Sequence, residues 1–160
     1  MNEKPMEEID DDHFEERYKM NLNYKGKDYE IEILDATLDE EKDYQMMLDL
    51  WIPFGDGFLL VFSIDDKESL EILKGCNKII NRIKRYDTPI ILIGNKQDLK
   101  NDRKITFKEA KTQADLLRIE YIETSAKTNY NCKKAFEKLI KMIVKIKNKP
   151  IYRPPLCSII

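Results

Sequence analysis

Residues 91–100 read ILIGNKQDLK. An apolar run, Ile91-Leu92-Ile93, meets Gly94, and Asn95-Lys96-Gln97-Asp98 follow. The carboxylate of Asp98 can accept two parallel hydrogen bonds from the ring N–H and exocyclic amine of guanine. Adenine lacks that donor pair, so Asp98 would set the choice of base. Asn95 can bridge to the ring edge, and the aliphatic stem of Lys96 can lie against the ring face. A loop whose polar residues cap a helix is the plainer alternative.

Working outward, Pro89–Ile93 (PIILI) and Phe58–Ile64 (FLLVFSI) are continuous apolar runs of strand length, the pattern of strands buried on both faces. Helices are expected over residues 67–85, over 107–117 with Thr106 and Glu109 as a capping pair, and over 130–147 with Phe136, Leu139, Ile140, Ile143 and Val144 inward. A short strand is expected at Ile119–Ile122. Alternating strands and helices predict an α/β fold with a mainly parallel, three-layer sheet. Upstream, RYKMNLNY and DYEIEILD flank Lys25-Gly26-Lys27 and read as a β-hairpin ending at Asp35. Residues 39–52 have helical spacing, Gly55-Asp56-Gly57 breaks it, and residues 148–160 read as a tail.

Ligands in such folds bind at the carboxyl ends of the strands. Asn95 falls there, and so does Ser125 in the second loop, Glu123-Thr124-Ser125-Ala126-Lys127. A tight turn in that loop could offer backbone N–H groups to the guanine carbonyl, with the Lys127 stem over the second ring face. A helix N-cap at Thr124 or Ser125 is the alternative.

Composition bounds the rest. The chain has 160 residues, 42% hydrophobic and 36% charged, enough for one domain with a sizeable core. A net charge of -2 does not suggest a nucleic-acid partner. Acids dominate residues 7–16 and lysines dominate residues 133–153. Three scattered cysteines suit a reducing compartment and no disulfide framework or zinc site. No apolar run approaches membrane-span length, and the acidic N-terminus is no signal peptide, so a soluble intracellular domain is expected.

The segments GDGFLLVFSI, IGNKQDL and YIETSAKT, with the hairpin before Asp35, resemble a Ras-family small GTPase from about Glu15 onward. The resemblance implies a P-loop-NTPase-like sheet with flanking helices and a GTP/GDP switch that binds Mg²⁺ and engages effector and exchange-factor proteins. Guanine binding would fall to Asn95, Lys96, Asp98, Ser125, Ala126 and Lys127. Asp35 would hold Mg²⁺ through water. Residues 1–147 would form an incomplete Ras-like GTPase domain.

Against that family, several elements are missing. None of the five glycines begins or closes a G-x-x-x-x-G-K-[ST] loop, the backbone cradle for phosphates. The family's first strand, in the middle of its sheet, is absent with that loop. Its loss should leave two inner edges with unpaired backbone groups, unless the chain is an incomplete copy of a longer protein. Leu38 stands where a glycine amide should meet the γ-phosphate, and Asp39 where the water-orienting glutamine should be. His13 replaces the Mg²⁺-binding switch threonine, and imidazole is a poor ligand for that ion. GTP hydrolysis is therefore implied by family but lacks its loop and glutamine. A non-hydrolysing interaction module and a truncated fragment are the rivals.

Residues 157–160 read Cys-Ser-Ile-Ile, a C-a-a-X signal for prenylation of Cys157. Lys141, Lys145, Lys147, Lys149 and Arg153 lie upstream and could supply the second, electrostatic anchor that a single lipid needs. The expectation is a basic, prenylatable tail over 148–160 and a place on the cytoplasmic face of a membrane, the plasma membrane.

Overall fold

The computed structural model describes residues 7–9, 15–24, 26–36, 51–84, 87–147 and 158–159. The chain divides into two compact units, one of residues 1–56 with 152–160 and one of residues 57–151.

The first unit is built on the expected hairpin. Strands β2 (Glu15–Tyr24) and β3 (Lys27–Ala36) pair antiparallel from Tyr24↔Lys27 to Glu15↔Ala36, with Gly26 at φ 75° in the turn. Alternation fixes the register: Met20 and Ile31 pair, as do Tyr18 and Ile33, while Arg17, Lys19 and Asn21 face solvent. Across the exposed face, Arg17 lies 3.4 Å from Glu32 and Asn23 donates to Asp28 at 2.7 Å.

Two additions flank this hairpin, and neither is evident in the sequence. Strand β1 (Glu7–Ile9) lies in the acidic stretch and pairs antiparallel with β2, setting Glu7 opposite Lys19. On the other edge of β3 lies β7 (Ser158–Ile159), parallel, with Glu32↔Ser158 and Ile33↔Ile159. Two residues of the expected tail are thus strand, and the expected open edge of β3 carries a partner. Residues 37–50, most of the helix expected over 39–52, lie outside the described residues, as do Leu38, Asp39, His13 and Cys157. Its last positions form one short turn, α1 (Ile52–Phe54), with Trp51 and Ile52 buried.

The second unit carries the parallel sheet. Strand β4 (Gly55–Ser63) pairs with β5 (Ile90–Asn95), which pairs with β6 (Glu120–Glu123), all parallel. Helices α2 (Lys67–Ile83), α3 (Phe107–Leu117) and α4 (Cys132–Lys147) connect and cover them. Asp66 caps α2 by accepting from the Glu68 amide at 3.0 Å, and Thr106 with Glu109 forms the expected capping box on α3.

Helices lie on both sheet faces. Phe62, Gly94 and Tyr121 share one face, where Phe107 of α3 packs at a tilt against Tyr121, 5.3 Å between ring centroids. On the opposite face a Cβ at Gly57 would come within 2.9 Å of Ile143 in α4, so this helix approaches the backbone directly. That contact explains why glycine stands at position 57, and Gly55-Asp56-Gly57, expected to break the helical pattern before it, begins β4. In β5, residues 90–94 are all buried, as expected. In β4, Val61 is 51% exposed, so that strand is not covered on both faces along its whole length. Ala135, rather than Phe136, joins Leu139, Ile140, Ile143 and Val144 on the buried side of α4. Fully buried Phe58, Phe62, Ile91, Leu92 and Leu139 each contribute about 1.5–3 kcal/mol through burial.

Candidate functional site

The site lies in the second unit, where β5 and β6 end side by side. Asn95 is the last residue of β5, and Lys96 turns the chain sharply with φ 63°, a left-handed conformation rare outside glycine. The turn places Asp98 beside the loop after β6. Backbone bonds lock the two loops together: Thr124 N–H donates to Gly94 at 2.9 Å and Gln97 N–H to Thr124 at 3.0 Å.

The side chains close the same junction. Ser125 is fully buried, and its hydroxyl donates to Asp98 Oδ1 while accepting from the Thr128 N–H at 3.2 Å. Asn95 Oδ1 accepts from the Thr124 hydroxyl and from the Ala126 N–H, both at 3.2 Å. Asn95 is therefore oriented with its amide N–H₂ outward, a donor for the acceptor edge of a purine. The Ala126 N–H, one of the backbone groups that a tight turn in this loop could offer a base, bonds here to Asn95.

Asp98 is half-buried and keeps acceptor capacity after its bond to Ser125. That hydroxyl holds the Asp98 carboxyl below the ordinary carboxylate value against the opposing cost of desolvation, with Lys127 and Lys96 adding attraction. The ionised form, a pure acceptor, is favoured. Lys96 Nζ lies 3.5 Å from Asp65, and Lys127 is exposed at the rim. All six expected base-binding residues thus meet at one junction. No helix starts at Thr124 or Ser125, because the chain instead makes an antiparallel bridge between Ser125 and Tyr130 before α4 begins.

Several supporting residues escaped the sequence reading. Asp65 follows β4 on the same rim, and its carboxyl is held low by Ser63 and by Lys96. Its place just after a strand was the available signal. Arg103 grips Glu123 with two bonds of 2.7 and 2.9 Å, and Tyr121 donates to Glu123 at 3.0 Å. Burial and the neighbouring Glu123 push the Tyr121 phenol strongly upward, so it stays a donor. Asn131 donates to the Glu123 carbonyl at 3.0 Å and the Cys132 thiol to the Ser125 carbonyl at 3.3 Å, tying the start of α4 to the loop. No local pattern marks these long-range partners.

Asp35 sits exposed at the carboxyl end of β3 in the other unit. Among the described residues no group of three or more His, Cys, Asp or Glu could hold a metal. A lone carboxylate fits Mg²⁺ only when phosphate oxygens and water complete the shell. No described helix is long and apolar enough to cross a membrane.

A parallel α/β sheet with polar loops gathered at its strand ends defines an α/β domain that has its candidate site where open α/β sheets bind ligands. The chain belongs to the Ras family, whose model matches residues 4–145. It is similar to circularly permutated Ras protein 1 of Dictyostelium discoideum, 44% identical over 112 residues, covering 69% of this chain and 13% of that protein. Ras-related protein Ral-a of Drosophila melanogaster is 37% identical over 127 residues, covering 79% of this chain and 62% of that one. Protein ras-1 of Neurospora crassa is 36% identical over 132 residues, covering 82% and 61%. The matched part thus spans about three fifths of the two shorter relatives and an eighth of the first.

Proposed function

We propose that this chain carries the guanine-reading part of a Ras-like, GTP/GDP-linked signalling protein whose phosphate and hydrolysis elements are degenerate. One observation carries the reading: the Ser125 hydroxyl bonds to Asp98 and favours its ionised form, while Asn95 is oriented by the same loop. Two acceptor oxygens and one outward amide then match the donor and acceptor edges of guanine and not those of adenine. Leu38 and Asp39 leave the γ-phosphate unsensed and its attacking water unoriented, so the output is binding of nucleotide and of effector or exchange-factor proteins rather than rapid hydrolysis.

The direct test titrates the full chain with guanosine and with adenosine, following the amide resonances of Asn95, Asp98 and Ser125. Shifts at these amides with guanosine alone are expected; equal shifts with both nucleosides would remove the base assignment.

The name of the Dictyostelium relative adds an order of elements to this reading. In a permuted Ras-like domain the hairpin comes early and the family's first strand comes from later in the chain. Two uses then compete for Cys157–Ile160. Prenylation, aided by the lysines upstream, would place the protein on the cytoplasmic face of a membrane. Strand pairing would instead hold Ser158 and Ile159 of this segment in a sheet.

A further inference from the structure

Strand β3 has β2 on one edge and β7 on the other, and the second pairing is parallel. We infer that the C-terminal segment ending in Ser158–Ile159 serves as the sheet strand beside β3, in place of the strand that the Ras order puts first, and that Cys157 is not a lipid-attachment site. The inference rests on the Ras-family reading and on the permuted order above.

Direction is the first argument. A tail that merely folded back by a tight turn would pair antiparallel, whereas a parallel partner needs a long crossover. The stretch of sequence between Ala36 and Ser158 is long enough for that crossover. Sequence is the second. Pro154 and Pro155 cannot donate to a ladder, whereas the residues that follow, Leu156 to Ile160, are mostly apolar and β-prone. The third is the edge itself. Strand β3 buries Ile31 and Leu34, and an apolar strand with an open edge invites intermolecular pairing. A partner on that edge satisfies its backbone donors and acceptors.

The register has a consequence for the site. Ile159 stands opposite Ile33, and both strands run the same way, so a chain continuing past Ile160 would arrive beside Asp35. That is the rim where a phosphate loop must meet the candidate Mg²⁺ carboxylate. A loop joined ahead of β1 would start from the far edge of the hairpin, two strands away. Prenyl transfer, by contrast, needs Cys157 to Ile160 free and extended.

The test is disulfide trapping in the full chain carrying Cys157→Ala. Glu32→Cys with Ser158→Cys pairs residues in register, and Asp28→Cys with Ser158→Cys displaces one of them by four residues, about 13 Å along the strand. Mild oxidation is expected to cross-link the first pair at least tenfold faster than the second. Equal rates, or no cross-link in either, overturn the strand. Intact mass of the unsubstituted chain from eukaryotic cells is expected to show an unmodified Cys157; a prenyl adduct overturns the inference. Neither readout involves nucleotide, so failure of guanosine binding would leave this result standing and would count against the base site alone.

Discussion

The Ser125 hydroxyl donates to the Asp98 carboxylate across 27 positions of sequence, and Ser125 itself is fully buried. This contact joins the loop after β5 to the loop after β6. It also lowers the carboxyl of Asp98, the group that would read the base, and so favours its ionised form.

Asp98→Ala should lower guanosine affinity by about 10- to 100-fold, since a charge-assisted hydrogen bond contributes about 1.5–3 kcal/mol. Adenosine binding should stay unchanged. Nucleoside titration by NMR or calorimetry checks both, and an unaltered preference for guanine would exclude Asp98 as the reader.

The acid limb of binding follows from the lowered Asp98 carboxyl. A depressed folded-state value means that the ionised form persists as pH falls and is lost only when pH passes below that value. Guanosine affinity should therefore be flat from about pH 7.5 to about pH 5. Ser125→Ala removes the largest cause of the depression, so its loss of binding should begin at higher pH than in the parent chain. Coincident pH profiles for the two proteins would contradict this account.

Breaking the Arg103–Glu123 pair should destabilise the second unit. The side chains are 20% and 11% exposed, and their two short bonds hold the end of β6. Glu123→Ala leaves a part-buried guanidinium without its partner and should cost about 2–3 kcal/mol. Denaturant unfolding would measure it. Arg103→Lys should recover only part of the loss, because an ammonium cannot make the paired contact.

Gly94→Ala tests the packing beneath the site. A Cβ there would collide with the Tyr121 hydroxyl and lie 3.2 Å from the Phe62 ring. Tyr121 must then move off Glu123, at about 1–3 kcal/mol. The expected result is a lower unfolding midpoint together with shifted Asn95 and Thr124 amides. A parent-like stability would show that Tyr121 has room to give.

What the sequence determined by itself was whatever short-range chemistry encodes. Continuous apolar runs marked β4 and β5, alternation around Lys25-Gly26 marked the hairpin, and Thr106 with Glu109 placed the start of α3 to the residue. The two polar loops were legible for the same reason, since their motifs are contiguous and follow buried strands. Tertiary structure alone decided how those loops meet: the Ala126 amide turns to Asn95, Ser125 orients Asp98, and Arg103 and Tyr121 converge on Glu123, contacts made between distant segments. It alone shows why glycine stands at position 57, because Ile143 comes so close that a side chain there would collide. The C-terminal four residues show the limit most clearly. As a linear string they read as a lipidation signal, but Ser158 and Ile159 lie beside Glu32 and Ile33, and strand pairing depends on which edge is open, a property no local stretch of sequence contains.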